Sequence, residues 1–281
     1  MIIDGKAIAT SLQDEIKREV SKLRGRKPHL AFIRVGDDPA SIVYVGAKEK
    51  ACAATGIESS LLKLPATISE GELLEKIAKL NSQDEVDGIL VQLPLPPQID
   101  EKAVMLAIDP RKDVDGFHPM NVGKMLLGDE SGFLPCTPHG IKVLFERSQI
   151  PVAGKHVVIV GRSNIVGKPL AAILVQKKEH CNATVTIAHS QSEHLTEITQ
   201  SADILVACLG KPHFIKKEMV RQGAVVIDVG ISRENGKLLG DVDFDAVSKV
   251  ASRITPVPGG VGPMTIAMLL QNTLLSYKRR C

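Results

Sequence analysis

Short runs of aliphatic and β-branched residues alternate with helical segments along most of the chain. Strands that alternate with helices form parallel sheets, so this pattern predicts the α/β class. The polar, proline-bearing stretch 109–138 separates two such series and predicts two α/β domains with a cleft between them. The predicted strands are 30–35, 59–64, 87–93, 156–160, 183–188, 203–208 and 224–229, and the main predicted helices are 5–24, 39–55, 70–81, 138–148 and 264–277.

Two further segments of the second half are defined by their glycines and prolines. Asn235-Gly236 lies between short apolar flanks and predicts a β-hairpin over 231–242. Residues 253–263 are rich in proline and glycine, and they are predicted to form no regular element.

The segment 155–170 places a glycine-bearing turn between a strand and a helix that is expected to begin near Ile165. Such a turn presents bare backbone N–H groups and the positive end of a helix dipole, which suit a phosphate group. Ser163 stands where the dinucleotide fingerprint has its second glycine, so the segment is interpreted as a variant of that loop. It is no Walker A loop, because five residues rather than four separate Gly161 from Gly167. An ordinary strand–turn–helix junction remains the alternative.

The strand after this loop, 183–188, ends without an acidic residue. NAD-specific sites usually carry Asp or Glu at that point to bind the ribose hydroxyl groups. Here His189 and Ser190 follow the strand and Arg162 lies in the loop, so donors suited to a 2′-phosphate are present. The sequence therefore favours NADP over NAD, although His189 taken alone is equally consistent with a solvated loop histidine.

Charge and cysteine usage restrict the partners and the compartment. The net charge is +3, and the basic residues are dispersed without interleaved aromatic side chains, so binding to nucleic acid or to a membrane surface is not indicated. The sequence contains no apolar stretch of membrane-spanning length and its first residues do not resemble a signal peptide. The five cysteines form no Cys-x-x-Cys pair, which favours a reduced, cytoplasmic location; Cys52, Cys136 and Cys208 are interpreted as packing residues.

The first half contains a candidate catalytic group. Tyr44 and Lys48 are four residues apart on a predicted helix and so share one face, where a phenol can hold an amine and influence its proton affinity. Gln92 ends an apolar strand at the carboxyl edge of the predicted sheet, where ligands bind, and it needs a polar partner such as an ammonium group. Short-chain dehydrogenases also use Tyr-x-x-x-Lys, but there the pair follows the nucleotide loop, and here it precedes that loop. A solvated helix face is the alternative for Tyr44 and Lys48 alone.

The remaining polar motifs give no metal site. Asp113-Val114-Asp115-Gly116 has too few carboxylates for a calcium loop, and it is interpreted either as a turn cap or as an anchor for a ligand's N–H groups. The histidines and cysteines lack zinc-site spacing, so no metal is expected.

Together these segments resemble the family of bifunctional methylenetetrahydrofolate dehydrogenases/methenyltetrahydrofolate cyclohydrolases, over essentially the whole chain and in the family's order. The segments that carry the resemblance are Tyr44-Val45-x-x-Lys48-x-Lys50-Ala51, Asp87-Gly-Ile-Leu-Val-Gln-Leu-Pro-Leu-Pro96, Pro110-x-Lys112-Asp-Val-Asp-Gly116, Pro135-Cys-Thr-Pro138, Gly161-Arg-Ser-x-x-Val166-Gly167-x-Pro169 and Pro256-Val-Pro-Gly-Gly-Val-Gly-Pro-Met-Thr265.

The resemblance implies a folate-binding catalytic domain at 1–145, completed by the C-terminal helix 264–281, and a Rossmann-like NAD(P)-binding domain at 146–263. It implies a homodimer through the nucleotide domains, for which the hairpin at 231–242 is a plausible surface. The implied activity in one-carbon metabolism is NADP-dependent oxidation of 5,10-methylenetetrahydrofolate to 5,10-methenyltetrahydrofolate, followed by hydrolysis to 10-formyltetrahydrofolate without a metal.

The resemblance also implies a role for each site residue. Lys48 is expected to be the acid and base, held by Tyr44 and Gln92, which also contact the substrate, and Asp115 is expected to bind the pterin. The other implied substrate contacts are Pro258, Gly259 and Gly260. The implied cofactor contacts are Gly161, Arg162, Ser163, Ile165, Val166, His189, Ser190, Cys208 and Ile231.

Two residues depart from the usual family pattern. Ser232 stands where many relatives have Asn, and Cys208 stands where a small or hydroxylated residue is common. Both are expected to influence cofactor preference or rate. Two other hypotheses remain open: an NADP-dependent dehydrogenase of another small substrate, and a non-catalytic nucleotide-binding regulatory protein.

Overall fold

The computed structural model describes residues 1–234 and 236–280, and the chain divides into two compact units. The three-stranded unit contains residues 10–134 and the last helix from residue 266 onward. The five-stranded unit contains residues 1–9 and 135–265. Asn235 in the predicted hairpin turn and Cys281 lie outside the described residues. Both units combine parallel strands with helices, so the predicted α/β class is confirmed.

The elements follow one another as the alternating sequence pattern predicts. The helices are α1 (Gly5–Ser21), α2 (Pro39–Thr55), α3 (Glu70–Asn81), α4 (Glu101–Ala107), α5 (Pro119–Leu127), α6 (Cys136–Arg147), α7 (Gly167–Leu174), α8 (Leu195–Gln200), α9 (Phe244–Val247) and α10 (Val261–Arg280), with a 3₁₀ turn at Lys217–Met219. The strands are β1 (His29–Val35), β2 (Glu58–Leu64), β3 (Gly88–Gln92), β4 (His156–Val160), β5 (Thr184–Ala188), β6 (Ile204–Ala207), β7 (Val225–Asp228), β8 (Ser232–Glu234), β9 (Lys237–Leu239) and β10 (Arg253–Ile254).

The sheet of the three-stranded unit has the order β2-β1-β3, and all its pairs are parallel. The central strand β1 is almost fully buried, as expected for a strand covered on both faces. Its partner β3 ends at Gln92, so that side chain lies at the carboxyl edge of the sheet. The helix between β1 and β2, α2, begins with Pro39 in its first turn and is followed by Gly56 at φ 79°.

The sheet of the five-stranded unit has the order β10-β7-β6-β4-β5, again with parallel pairs. After β4 the chain adds β5 on one side and then returns to add β6 on the other side. Strand order therefore reverses at β4, and ligands of open α/β sheets bind at the carboxyl edge where this reversal occurs. Gly161, His189 and Cys208 directly follow the three strands at that point.

Several parts of the structure differ from the sequence prediction. Residues 253–263 were expected to be irregular, but Arg253–Ile254 pairs with β7, and α10 already begins at Val261. Pro263 is compatible with this earlier start because the first turn of a helix needs no intrahelical N–H donors. The stretch 109–138 contains α5, whose Pro119 lies in the first turn and whose end is followed by Gly128 at φ 73°.

The predicted hairpin is present in its described part. β8 and β9 are antiparallel, and Glu234 pairs with Lys237 in the register. Gly236 has φ 77°, the left-handed conformation that a tight hairpin turn requires.

A half-buried histidine in α6, His139, makes stability depend on pH. The Nδ1 atom of His139 is buried and has no hydrogen-bond partner among the residues that the structure describes. Burial is the largest cause that lowers the pKa of His139 from 6.5 to about 4, and the charge of Lys142 adds to it. His139 is therefore protonated below about pH 6.5 in the unfolded chain but only below about pH 4 in the folded protein. The stability linked to His139 is complete above pH 6.5 and is lost as the pH falls through this window.

We expect His139→Leu to remove this pH dependence. At pH 5 the wild-type protein should lose about 2 kcal/mol of its free energy of unfolding through His139, relative to pH 7. Denaturant unfolding at both pH values measures the loss. Burial raises the pKa of Asp113 and Asp228 to about 6, so these two groups increase the free energy of unfolding as the pH falls. The wild type and the His139→Leu variant both contain them, so their contribution cancels in the comparison. Equal pH dependence of the wild type and the variant would contradict the assignment.

Candidate active site

Lys48 and Gln92 are in direct contact in the three-stranded unit. Lys48 Nζ donates to Gln92 Oε1 at 3.0 Å, and Gln92 Nε2 donates to the carbonyl of Leu93 at 2.7 Å. The second bond fixes the amide so that its oxygen points to the ammonium group. Both side chains are half-buried. The ammonium partner that the sequence predicts for Gln92 is therefore Lys48, which lies on α2.

The first turns of α2 hold this pair in place and present a surface beside it. Asp38 caps the helix by accepting from the Ser41 N–H at 2.7 Å, and the Ser41 hydroxyl donates to the Leu93 carbonyl at 3.3 Å. Tyr44 lies one turn before Lys48 and is 39% exposed, and Leu93 is 38% exposed. An exposed phenol ring beside a tethered amine can contact a flat, partly apolar ligand. The roles of Tyr44, Lys48 and Gln92 stay predictions.

The two aspartates of the Asp113-Val114-Asp115-Gly116 motif, in the loop after α4, have different surroundings. The Asp113 carboxylate is 4% exposed and accepts the N–H groups of Gly116 at 3.2 Å, Phe117 at 3.3 Å and His118 at 2.8 Å. Asp113 thus caps the turn, which is one of the two interpretations of this motif. Asp115 is half-buried, and its assignment to a ligand stays a prediction.

Both glycines of the nucleotide loop are required by close backbone packing. Gly161 has φ +136°, and a Cβ there would lie 2.3 Å from the carbonyl oxygen of Cys208. A Cβ on Gly167 would lie 2.2 Å from the carbonyl oxygen of Gly161. Separations below 3.0 Å force something to shift, so a side chain at either position would displace the backbone. This favours a specialised loop over an ordinary strand–turn–helix junction.

Ser163 performs a task that the sequence did not reveal. Its Oγ accepts the N–H groups of Val166 at 3.1 Å and Gly167 at 3.4 Å, so it caps α7, which begins at Gly167 rather than near Ile165. The N–H groups of residues 162–165 donate to no other residue in the described ranges. The loop therefore offers consecutive backbone donors, as an anion site requires, although two amides at the helix start are already bonded. Ile165 is 47% exposed and Val166 is 9% exposed.

The residues assigned to the 2′-phosphate follow β5 or lie in the loop. The Nδ1 atom of His189 accepts the N–H of Gln191 at 3.2 Å, which leaves the Nε2–H of the neutral ring as a donor. Ser190 and Arg162 are exposed. A histidine N–H, a hydroxyl and a guanidinium are all donors that bind phosphate oxygens.

Cys208 and Ile231 follow β6 and β7 in the five-stranded unit. Cys208 Sγ donates to the carbonyl of Val160 at 3.4 Å, and burial is the largest cause that raises the pKa of its thiol to about 12. A thiol with this pKa is no nucleophile at neutral pH. Ile231 is 43% exposed, so it can contact a ligand.

Sequence reasoning missed two buried acids that organise this edge. The Asp241 carboxylate accepts the N–H groups of Leu209 at 2.5 Å, Gly210 at 3.0 Å and Lys211 at 2.7 Å, and so fixes the loop after β6. Asp228 accepts from Gly230, Asp241 and Val242 at the base of the hairpin. All these donors are backbone groups, so no pattern of side chains in the sequence could have revealed the contacts.

The predicted substrate loop Pro258–Gly260 lies in the five-stranded unit, whereas Tyr44, Lys48, Gln92 and Asp115 lie in the three-stranded unit. The first residues of the chain support this loop. Lys6 N donates to the Gly259 carbonyl at 2.9 Å, and a Cβ on Gly5 would lie 1.9 Å from the Gly260 oxygen. Gly259 itself has φ +103°, which favours glycine.

The described cysteines form no disulfide bond with one another. Cys52, Cys136 and Cys181 are buried, in keeping with the packing role predicted for the first two, while Cys208 is half-buried. Across residues 1–234 and 236–280, no group of three His, Cys, Asp or Glu residues is placed to hold a metal ion. None of the described helices combines the length and the apolar character needed to cross a bilayer.

Comparison with known proteins connects both units to one family. Residues 3–115 match the catalytic domain of tetrahydrofolate dehydrogenase/cyclohydrolase, and residues 135–281 match the NAD(P)-binding domain of the same enzyme. The bifunctional protein FolD of Halalkalibacterium halodurans is 57% identical over 280 residues, which cover 99% of each chain.

Solved structures agree with the sequence comparison. A bifunctional FolD methylenetetrahydrofolate dehydrogenase/cyclohydrolase from Campylobacter jejuni has a TM-score of 0.96 and 48% identity, covering 100% of this chain and 99% of the other. The methylenetetrahydrofolate dehydrogenase-cyclohydrolase of Trypanosoma brucei, solved with NADP and an inhibitor, has a TM-score of 0.93 and 39% identity, covering 99% and 97%.

Proposed function

The chain belongs to the tetrahydrofolate dehydrogenase/cyclohydrolase family, and on that premise we propose how its residues carry out both reactions. It is a bifunctional enzyme that oxidises 5,10-methylenetetrahydrofolate to 5,10-methenyltetrahydrofolate with NADP and hydrolyses this product to 10-formyltetrahydrofolate. The observation that carries the hydrolytic assignment is the 3.0 Å hydrogen bond between Lys48 Nζ and Gln92 Oε1.

Lys48 is the acid and base of the hydrolysis. Water that attacks the methenyl carbon must lose its protons, one folate nitrogen must gain a proton as the ring opens, and one proton is released overall. A neutral Lys48 amine accepts the first of these protons, and the cationic substrate beside it favours that neutral form. Gln92 and Tyr44 keep the amine in place and contact the substrate, and Asp115 accepts the N–H groups of the pterin.

The nucleotide loop fits NADP. Gly161 and Gly167 allow a backbone path that a Cβ would block, and the N–H groups of residues 162–165 are available to phosphate oxygens. Arg162, His189 and Ser190 supply donors for the 2′-phosphate. Bound NADP accepts the hydride from the methylene carbon, and the folate nitrogens stabilise the cation that forms. The protein's contribution to that step is to bind and orient, with Ser163, Ile165, Val166, Cys208 and Ile231 as further contacts.

An assay with 5,10-methylenetetrahydrofolate tests these assignments when NADP and NAD are supplied separately. We expect reduced NADP, then the methenyl and formyl products. Arg162→Ala should lower kcat/KM for NADP by about ten- to a hundredfold, because it removes a charged donor to a phosphate, and should leave the value for NAD unchanged. Absorbance of the reduced nicotinamide gives both values.

Arg221→Ala is the matched control, because Arg221 pairs with Asp203 outside the nucleotide loop. Equal loss with NADP and NAD in Arg162→Ala would contradict the 2′-phosphate assignment. Absence of reduction, together with failure of folates to stabilise the protein, would favour a dehydrogenase of another small substrate. Absence of both activities would favour a nucleotide-binding regulatory protein, against which the intact Lys48–Gln92 contact argues.

We assign folate binding to residues 1–145, completed by the C-terminal segment 264–281, and NADP binding to residues 146–263. Residues 1–9 and 135–145 of the first range nevertheless belong to the five-stranded unit, as do the proposed folate contacts 258–260. The chain forms a homodimer through its nucleotide domain, with the hairpin at 231–242 as the surface; the exposed Ile231 at its start supports this, and sedimentation equilibrium would test it. A cytoplasmic location is supported by the lack of disulfide bonds among the described cysteines, and cell fractionation would test it.

A further inference from the structure

The backbone around Asp115 is held by buried side chains on both sides of that residue. We call residues 112–118 the Asp115 loop. Lys112 is 2% exposed, and its Nζ donates to the carbonyls of Leu80 at 3.0 Å, Asn81 at 2.8 Å and Gln83 at 2.6 Å. One end of the loop is therefore fixed to the C-terminal end of α3.

The other end is fixed by Asp113 and α5. The Asp113 carboxylate accepts the N–H groups of residues 116–118 and the side-chain amide of Asn121 at 2.8 Å. The backbone after Asp115 thus folds back onto the Asp113 side chain. A loop with this many internal hydrogen bonds has little freedom to move, so the Asp115 carboxylate has little freedom to change position.

The last helix contacts the residue directly before Asp115. Asn272 is 2% exposed, and its Nδ2 donates to the carbonyl of Val114 at 2.8 Å and to that of Leu134 at 3.1 Å. The Val114 carbonyl belongs to the peptide bond that joins Val114 to Asp115. A donor at this carbonyl restricts ψ of Val114 and φ of Asp115, and the direction of the Asp115 side chain depends on both angles.

A second polar side chain of α10 contacts Arg111, the residue directly before the Asp115 loop. Ser276, one turn after Asn272, donates to the carbonyls of Asp87 at 2.6 Å and Arg111 at 2.9 Å. The neighbours Leu269, Leu270 and Leu274 are buried and apolar. Burying polar side chains within an apolar face costs free energy unless they are bonded, so these two contribute orientation rather than general packing.

We propose that Asn272 is a positioning residue for the folate reaction, which aligns the Asp115 carboxylate with the pterin by holding the Val114–Asp115 peptide. The inference rests on the proposed function. Asn272 does not touch the substrate, and it acts only through Asp115. Its removal weakens folate recognition in both activities and leaves NADP recognition unchanged.

Asn272→Leu tests this, because it keeps the approximate volume and removes the donor. We expect kcat/KM for the folate substrates to fall about tenfold in both reactions, mainly through KM, and KM for NADP to stay the same. Asn272→Ser keeps a hydroxyl group and should give a smaller loss; it also serves as the test variant if the leucine variant does not fold.

A double-mutant cycle with Asp115→Asn separates positioning from general stability. If Asn272 acts through Asp115, Asn272→Leu should cause no further loss in the Asp115→Asn background. The matched control is Thr273→Val on the same helix, since the buried Thr273 hydroxyl donates within α10 to Leu269. Its folate KM should equal that of the wild type.

Any of three results would overturn the proposal. The first is a folate KM that rises as much in Thr273→Val as in Asn272→Leu. The second is an undiminished effect of Asn272→Leu in the Asp115→Asn background, and the third is an unchanged folate KM in Asp115→Asn itself. A wild-type protein without folate turnover would instead refute the proposed function, so the two failures are distinguishable.

Discussion

Lys48→Ala should lose the hydrolysis of 5,10-methenyltetrahydrofolate by at least about a hundredfold, the lower end of what a positioned acid or base contributes. Hydride transfer requires no proton transfer from the protein, so reduction of NADP with 5,10-methylenetetrahydrofolate should persist. The variant should therefore accumulate the methenyl compound. Decay of methenyl absorbance, corrected for spontaneous hydrolysis, measures the first activity, and formation of reduced nicotinamide measures the second.

Lys50→Ala is a suitable control for this experiment. It removes the same charge from the same helix, but residues two apart on a helix do not share a face, and Lys50 is exposed. Its hydrolysis rate should match the wild type. Hydrolysis at the wild-type rate in Lys48→Ala would exclude Lys48 as the acid and base, and a parallel fall in both activities would indicate a defect in folate binding instead.

Gly161→Ala should impair the NADP-dependent oxidation and preserve the hydrolysis, the reverse of the effect expected for Lys48→Ala. The new Cβ would lie 2.3 Å from the Cys208 oxygen and 2.6 Å from its Sγ, at a φ of +136° that side chains rarely adopt. The nucleotide loop or the loop after β6 must therefore move. Misplacement of a binding group by about 1 Å can cost about a hundredfold in rate, so we expect kcat/KM for NADP to fall at least about a hundredfold. Hydrolysis of supplied methenyltetrahydrofolate, which needs no NADP, should continue.

Gly154→Ala is the control for backbone strain alone. Gly154 also has a positive φ, +72°, but a Cβ added there would meet no atom within 4 Å, so the substitution adds strain without a collision. It should lower the free energy of unfolding by about 1 kcal/mol and leave KM for NADP unchanged. If Gly161→Ala binds NADP as the wild type does, the close packing of Gly161 against Cys208 is not a condition of cofactor binding.

The parts of the site that the sequence predicts are those set by local periodicity. Tyr44 and Lys48 share a face because α2 is a regular helix, and Gln92 lies at a sheet edge because β3 is stopped by prolines. The 3.0 Å contact between Lys48 and Gln92 follows from a general requirement, since a half-buried amide needs a partner.

The parts that the sequence does not predict depend on distant backbone groups. Asp241 binds three N–H groups about thirty residues earlier in the chain, and Asn272 binds a carbonyl 158 residues away. Strand β10 is only two residues long and exists because β7 pairs with it. The early start of α10 escapes prediction for a different reason: Gly262 and Pro263 disfavour a helix interior, but the first helical turn tolerates proline.

The route of the chain through the two units has a consequence for synthesis. The three-stranded unit takes residues 10–134 and then the last helix, and residues 135–265 intervene. A nascent chain can pair β1, β2 and β3 early, but the donors Asn272 and Ser276 leave the ribosome only after every strand from β1 to β10 has been made. Until then the carbonyls of Val114 and Arg111 lack these partners. The proposed folate site is therefore completed late in synthesis, and a translation product that stops before residue 272 contains Lys48 but lacks the donors Asn272 and Ser276.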